Sequence, residues 1–210
     1  MGRLIAIGDI HGRFSKLEGS IEGVIPEKSD SLVFLGDYID RGPKSYHVVD
    51  YVVKMREEYP HIITLRGNHE DFVLSLFQGN QDKCMRHLWL KLNGGEQTLA
   101  SYRGAGHYLK VHQDFYMNLP VSWETEQYFF CHAGVRPGVP LAKQKATDLL
   151  EIRDPFLSSN ARFEKIIIHG HTPVSSPTIT PYRINIDTGT WNNGPLTAIK
   201  LPSLRIWQQW

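Results

Sequence analysis

The chain reads as an α/β protein, with a largely parallel sheet, helices against it and a second sheet packed on the first. Three observations carry that reading. Short apolar runs recur, each ending near a glycine or a polar side chain; helical periodicity fills the gaps between the early runs; and the last third holds many short strand patterns.

The first run is Leu4-Ile5-Ala6-Ile7, and beyond Gly12 the residues Phe14, Leu17, Ile21 and Val24 recur at helical spacing. The second run, Leu32-Val33-Phe34-Leu35, precedes a helix over 45–58 with Val48, Val49, Val52, Val53 and Met55 on one face. The third is Ile62-Ile63-Thr64-Leu65. Strand and helix in alternation imply parallel pairing, because each crossover helix returns the chain to the same end of the sheet.

From 71 to 118 the pattern changes to amphipathic helices over 71–78, 82–92, 96–103 and 107–118, broken at Gly79-Asn80, Asn93-Gly94-Gly95 and Gly104-Ala105-Gly106. The sequence thus predicts one domain over 1–210 with a small helical cap inserted between core strands. Residues 121–125 and 127–132 resemble a hairpin, Ile166-Ile167-Ile168 is a further buried run, and 183–187, 196–201 and 205–207 read as a second group of antiparallel strands. The stretch from Thr172 to Pro181 reads as a surface loop beside the site. The terminal Trp207-Gln208-Gln209-Trp210 reads as an edge strand in preference to a partner-binding tail.

Composition narrows the function classes. With 23 Lys and Arg against 22 Asp and Glu, the net charge of +1 offers no electrostatic basis for binding nucleic acid or an acidic membrane. No apolar stretch approaches the ~20 residues needed to span a bilayer, and the first strand is too short for a signal-peptide core, so a cytoplasmic location is expected. The two cysteines, Cys84 and Cys131, lack metal-site spacing and are read as small core residues.

The chemistry lies where the apolar runs end. Asp9 and His11 sit two apart in Gly8-Asp9-Ile10-His11-Gly12, so at an extended strand end both point the same way, a carboxylate and an imidazole suited to a divalent ion. Asp37, in Gly36-Asp37-Tyr38-Ile39-Asp40-Arg41-Gly42, could bridge two cations about 3.5 to 4 Å apart or serve as a helix N-cap. In Gly67-Asn68-His69-Glu70 the adjacent side chains diverge, so if Asn68 ligates a metal, His69 is free to donate a proton, with Asp40 on its far ring nitrogen and Arg41 as a phosphate fork; an Asp-Arg-Gly turn with a surface salt bridge is the bland alternative for the last two. His132 and His171 each end a buried run beside glycine. Singly, each is better read as a core histidine; the recurrence of such groups at five strand ends favours a two-metal phosphate-ester hydrolase.

Together these segments resemble the phosphoprotein-phosphatase family of calcineurin-like metallophosphoesterases, in particular its compact bacterial and bacteriophage members. The resemblance runs from Leu4 to about Gly189. It implies a two-sheet sandwich flanked by helices (α/β/β/α), one metal held by Asp9, His11 and a bridging Asp37, and a second held by Asp37, Asn68, His132 and His171. It further implies His69 with Asp40 as the general-acid pair, Arg41 and Arg153 on the substrate phosphate, and manganese as the ion ahead of iron, zinc, nickel or cobalt. His169 is not expected to be a ligand. Pro173 after Thr172 departs from the Gly-His-x-His ending of broader phosphodiesterases and favours the phosphatase branch.

The resulting expectation is in-line attack by a metal-bridging hydroxide on a phosphoserine, phosphothreonine or phosphotyrosine of a protein or peptide, without a phosphoenzyme. The alternative is symmetrical hydrolysis of a dinucleoside polyphosphate such as diadenosine tetraphosphate, since that hydrolase shares the metal motifs. A non-catalytic scaffold on the same fold is disfavoured because all six ligand positions and the acid pair are present.

Overall fold

The computed structural model describes residues 2–80 and 82–210. Strand β1 (Leu4–Ile7) leads through α1 (Phe14–Val24) to β2 (Ser31–Phe34), and α2 (Ser45–Glu58) leads on to β3 (Ile62–Thr64). The three strands run parallel, with Ile5 opposite Leu32 and Leu32 opposite Ile62. Their alternation sorts the side chains: Ile5, Ile7, Leu32 and Phe34 join Leu17, Ile21, Val48 and Val52 in one buried cluster under α1 and α2. Ala6, Val33 and Leu35 face the other way and meet Phe130, Ile168 and Ile184 of the second sheet.

In that second sheet β5 (Tyr128–Cys131), β6 (Ile166–His169) and β8 (Arg183–Asn185) lie parallel, flanked by antiparallel β4 (Ser122–Glu124) and β7 (Thr178–Ile179). Its outer face buries Phe129, Cys131 and Ile167 with Leu149, Ile152 and Phe156, beside α7 (Ala146–Glu151). The layers are therefore helix, sheet, sheet, helix, as the family resemblance implies.

Three expectations about the elements change. The late strands do not form one antiparallel group: β8 pairs parallel with β6, whereas β9 (Leu196–Leu201) and β10 (Arg205–Gln209) extend the first sheet, with β9 antiparallel to β1. Apolar periodicity marks a strand but not its sheet or direction. The first helix of the 71–118 stretch, α3 (Asn68–Phe77), starts earlier because the Glu70 carboxylate folds back onto the Gly67 N–H at 2.9 Å and closes its first turn. It is followed by α4 (Lys83–Leu92) and α5 (Gly95–Gly104). The last helix is a 3-10 turn, Leu109–His112, feeding the short α6 (Gln113–Met117); the three-residue repeat puts Leu109 and His112 on the same buried side.

Trp89, Tyr102, Phe115 and Tyr116 from these helices belong to the same buried cluster as Val48 and Val52. Cys131 is buried as expected, but Cys84 is exposed because α4 buries only Trp89. Among the described residues no helix is long and apolar enough to cross a membrane.

Candidate metal centre and active site

The loops after the parallel strands of both sheets meet at one end of the sandwich. Asp9 and His11 follow β1, Asp37, Asp40 and Arg41 follow β2, and Asn68 and His69 open α3 after β3. His132 follows β5 and His171 follows β6. Backbone bonds stitch the first loops together, with the N–H groups of Ile10 and His11 both donating to the Asp37 carbonyl at 3.0 and 2.8 Å. Across the sheets, His132 Nδ1 donates to the Leu35 carbonyl at 3.0 Å.

The local conformation is costly. His11, Asp37, Asp40, Arg41 and His171 all have positive φ, between 49° and 70°, a region that residues other than glycine enter rarely. Gly170 shows why glycine flanks these groups: a Cβ there would lie 2.1 Å from Asp9 Oδ1.

His11 Nδ1 donates to the Ile39 carbonyl at 2.9 Å, and a carbonyl can only accept, so its Nε2 turns a lone pair inward, 3.3 Å from Asp37 Oδ2. By the same logic His132 Nε2 presents a lone pair 3.0 Å from Asn68 Oδ1, 3.2 Å from His171 Nδ1 and 3.4 Å from Asp37 Oδ1. Asn68 Oδ1 is also 3.1 Å from His171 Nδ1. Burial drives His11, His132 and His171 below the usual imidazole range, His171 to about 3.

Acceptors converging on acceptors repel unless cations lie among them, and mixed oxygen and imidazole donors with carbonyl-anchored rings suit divalent metals. Two trios, His11-Asp37-His69 and Asp9-Asp37-His132, each bring one donor atom per residue within 4.8 Å of one another. Asp37 is common to both, as a bridge requires. Burial opposes its charge, but the imidazoles of His132, His69 and His11 hold its carboxyl well below the carboxylate range. Asp9 goes the other way, raised by burial and then by Asp187 and Asp37.

His69 lies at the same centre, its Nε2 3.8 Å from Asp37 Oδ2 and its Nδ1 2.7 Å from Asp40 Oδ2. Burial disfavours its charge, yet Asp37 and Asp40 outweigh that and raise its pKa. Arg41 places Nη1 2.8 Å from His11 Nε2 and stacks its guanidinium 4.7 Å from the Trp191 ring. Arg153 is exposed at the rim, where Nη1 donates to Thr172 Oγ1 at 3.0 Å. His169 is buried with Nδ1 on the Gly170 carbonyl at 3.2 Å and its ring against Phe156. His107 and His112 both stack on Tyr46.

Four residues of this centre escape a reading by motif. Trp89 Nε1 donates to Asp40 Oδ2 at 2.9 Å, and Thr98 Oγ1 to Asp40 Oδ1 at 2.6 Å. Glu70 accepts from the N–H groups of Asp37, Tyr38 and Gly67 at 2.8 to 2.9 Å, although burial and Asp37 push it up to about 8. Asp187, after β8, is buried beside Asp9 and raised to about 6, chiefly by burial. Its signal was present: Ile184, Ile186 and then Asp187-Thr188-Gly189 repeat the pattern of the other strand ends.

Residues 2–193 match the family model described as calcineurin-like phosphoesterase. The chain belongs to that family. Among its calcineurin-like relatives, the bis(5'-nucleosyl)-tetraphosphatase PrpE [asymmetrical] of Anoxybacillus flavithermus is 28% identical, covering 94% of this chain and 90% of the relative. The protein of the same name from Bacillus cereus is 25% identical over the same shares. A solved structure provisionally named a diadenosine tetraphosphatase superposes with a TM-score of 0.75 at 22% identity, covering 100% of this chain and 94% of the other. A protein serine/threonine phosphatase from Saccharomyces cerevisiae superposes at 0.65 with 16% identity, covering 99% and 79%. The calcineurin-like phosphoesterase fold and a metal-dependent hydrolase are thereby established for this chain.

Proposed function

We propose that the chain is a two-metal hydrolase of dinucleoside tetraphosphates, cutting the polyphosphate bridge asymmetrically. The observation that carries this reading is sequence likeness along nearly the whole chain to bis(5'-nucleosyl)-tetraphosphatases, whereas likeness to protein phosphatases is one of fold. The phosphoprotein substrate expected from the motifs yields to the alternative weighed beside it, with the asymmetrical cut of the named relatives in place of the symmetrical one.

Asp9, His11 and Asp37 would hold one divalent ion, and Asp37, Asn68, His132 and His171 the other. Such ions, when bound, activate water and neutralise phosphate charge. Arg41 orients the nonbridging oxygens, its fork held by the Trp191 face behind it, and Arg153 meets the charge at the rim. As the water oxygen bonds to phosphorus the anhydride P–O bond opposite it breaks, and His69 Nε2 gives its proton to the departing oxygen while Asp40 keeps the ring in place.

Anion-exchange analysis of products from diadenosine tetraphosphate with manganese tests the reading. Equal amounts of nucleoside triphosphate and monophosphate are expected, with kcat/KM at least about tenfold above that for phosphoserine, phosphothreonine or phosphotyrosine peptides. Two diphosphates would move the cut to the symmetrical position. A tenfold preference for the peptides would restore the phosphoprotein reading.

A further inference from the structure

Next to Arg41 lies a cavity of about 410 Å³ lined by Leu90, Lys91, Glu96, Gln97 and Trp191 together with Arg41 itself. We propose that this cavity is a nucleoside subsite that binds one purine of the substrate. The inference rests on the dinucleotide reading above and adds the place where a nucleoside is held.

Arg41 joins the two sites. Its Nη1 lies 2.8 Å from His11 Nε2 on the metal side, and its guanidinium lies 4.7 Å from the Trp191 ring that also lines the cavity. A phosphate on the Arg41 fork is therefore one side chain away from the Trp191 indole. The cavity exceeds the roughly 300 Å³ at which small-molecule sites begin.

Its lining has the required chemistry. Trp191 offers an aromatic surface, Leu90 an aliphatic one, Gln97 an amide able to pair with an adenine edge, and Lys91 a cation for the phosphate chain. Lys91 is at present paired with Glu96 at 2.5 Å, both on the exposed rim. Trp191 Nε1 is buried and has no hydrogen-bond partner among the described residues.

The wall is also fixed in position. Arg13 donates to the Trp191 carbonyl at 2.7 Å, and Lys16 to the Gly194 carbonyl at 2.7 Å, tying the tryptophan loop to the loop after β1 and to α1. Opposite, a Cβ on Gly94 would lie 2.3 Å from the Arg41 backbone nitrogen, and Gly94 has φ of 90°. Only glycine lets the turn between α4 and α5 press against Arg41, which accounts for the Asn93-Gly94-Gly95 break.

The test compares diadenosine tetraphosphate with nitrophenyl phosphate, which has no nucleoside, in the manganese-loaded full chain. Trp191→Ala should lower kcat/KM for the dinucleotide about tenfold more than for nitrophenyl phosphate, the loss expected of one stacked base. Trp191→Phe should restore the ratio to within about threefold, since it keeps a stacking face. Because Trp191 also supports Arg41, photolabelling of the wild-type chain with 8-azidoadenosine 5'-monophosphate gives a readout independent of turnover, and the label should fall within 90–97 or on Trp191. Equal losses on both substrates, or label elsewhere, overturn the subsite. If the wild-type chain does not cleave the dinucleotide at all, the functional reading fails separately; label within 90–97 or on Trp191 then still upholds a nucleotide site, and label elsewhere overturns it.

Discussion

His69 Nδ1 and Asp40 Oδ2 are 2.7 Å apart, and Asp40 is itself held on both oxygens, by Trp89 Nε1 at 2.9 Å and Thr98 Oγ1 at 2.6 Å. The histidine that faces Asp37 is thus oriented by a carboxylate anchored to two helices, α4 and α5. If His69 is the proton donor, His69→Asn should keep near-normal metal content while losing about 10² to 10⁴ in kcat on alkyl phosphate esters. The loss should shrink for nitrophenyl phosphate, whose leaving group needs little protonation. Loss of a metal, or equal slowing of both substrates, would place His69 among the ligands.

Trp89→Phe removes one hydrogen bond from Asp40, and Thr98→Val removes two, one to its carboxylate and one from its backbone N–H, together with the contact to Ser45 Oγ. Each should slow turnover roughly 10-fold, in line with other residues that orient an active group. The effect should follow the leaving group as in His69→Asn but more weakly, and metal content measured by plasma mass spectrometry should not change. A drop in metal occupancy would instead make these residues supports of the ligand set.

Asp37 lies within reach of donors on both sides of the centre, so Asp37→Asn should weaken both sites at once. Titration with manganese should show both binding steps weakened, and chelator-treated wild-type protein should lose activity and regain most of it on readdition. The chelated protein should stay folded because its buried clusters are apolar. Loss of one step alone would show that Asp37 does not bridge.

Away from the centre, Arg3 grips Asp30 with Nε at 3.0 Å and Nη2 at 2.6 Å, and its backbone N–H adds a third bond at 2.7 Å. Burial pushes the Asp30 pKa up, but these bonds and that from the Glu27 N–H outweigh it and leave it lowered. A carboxyl lowered on folding contributes stability above its unfolded pKa of about 3.9, and that contribution is lost as pH falls through the folded value. Asp30→Asn should therefore cost about 1 to 3 kcal/mol at neutral pH, and the difference from wild type should narrow below about pH 4. Thermal denaturation at pH 7 and pH 3.5 measures this; a difference independent of pH would refute it.

The sequence carried the parallel strands and their chemistry further than their neighbours. Leu4-Ile5-Ala6-Ile7 reads as a short buried strand, which puts Asp9 and His11 at its end. Whether β9 joins the first sheet or the second depends on which face Leu196, Ala198 and Ile199 meet, a matter of long-range packing that alternation does not encode. Trp89 and Thr98 escaped notice for a related reason: at helical spacing an indole or a hydroxyl looks like core, and only the packing of α4 and α5 brings them to Asp40.

The candidate ligands are divided between the sheets, with Asp9, His11, Asp37 and Asn68 beyond the strands of one and His132 and His171 beyond those of the other. An ion seated among them would rivet the two halves of the sandwich, making occupancy and sheet cohesion a single linked equilibrium. Every tenfold rise in free metal above its dissociation constant would then add about 1.4 kcal/mol against unfolding. The protein's melting point would in effect record the metal concentration around it.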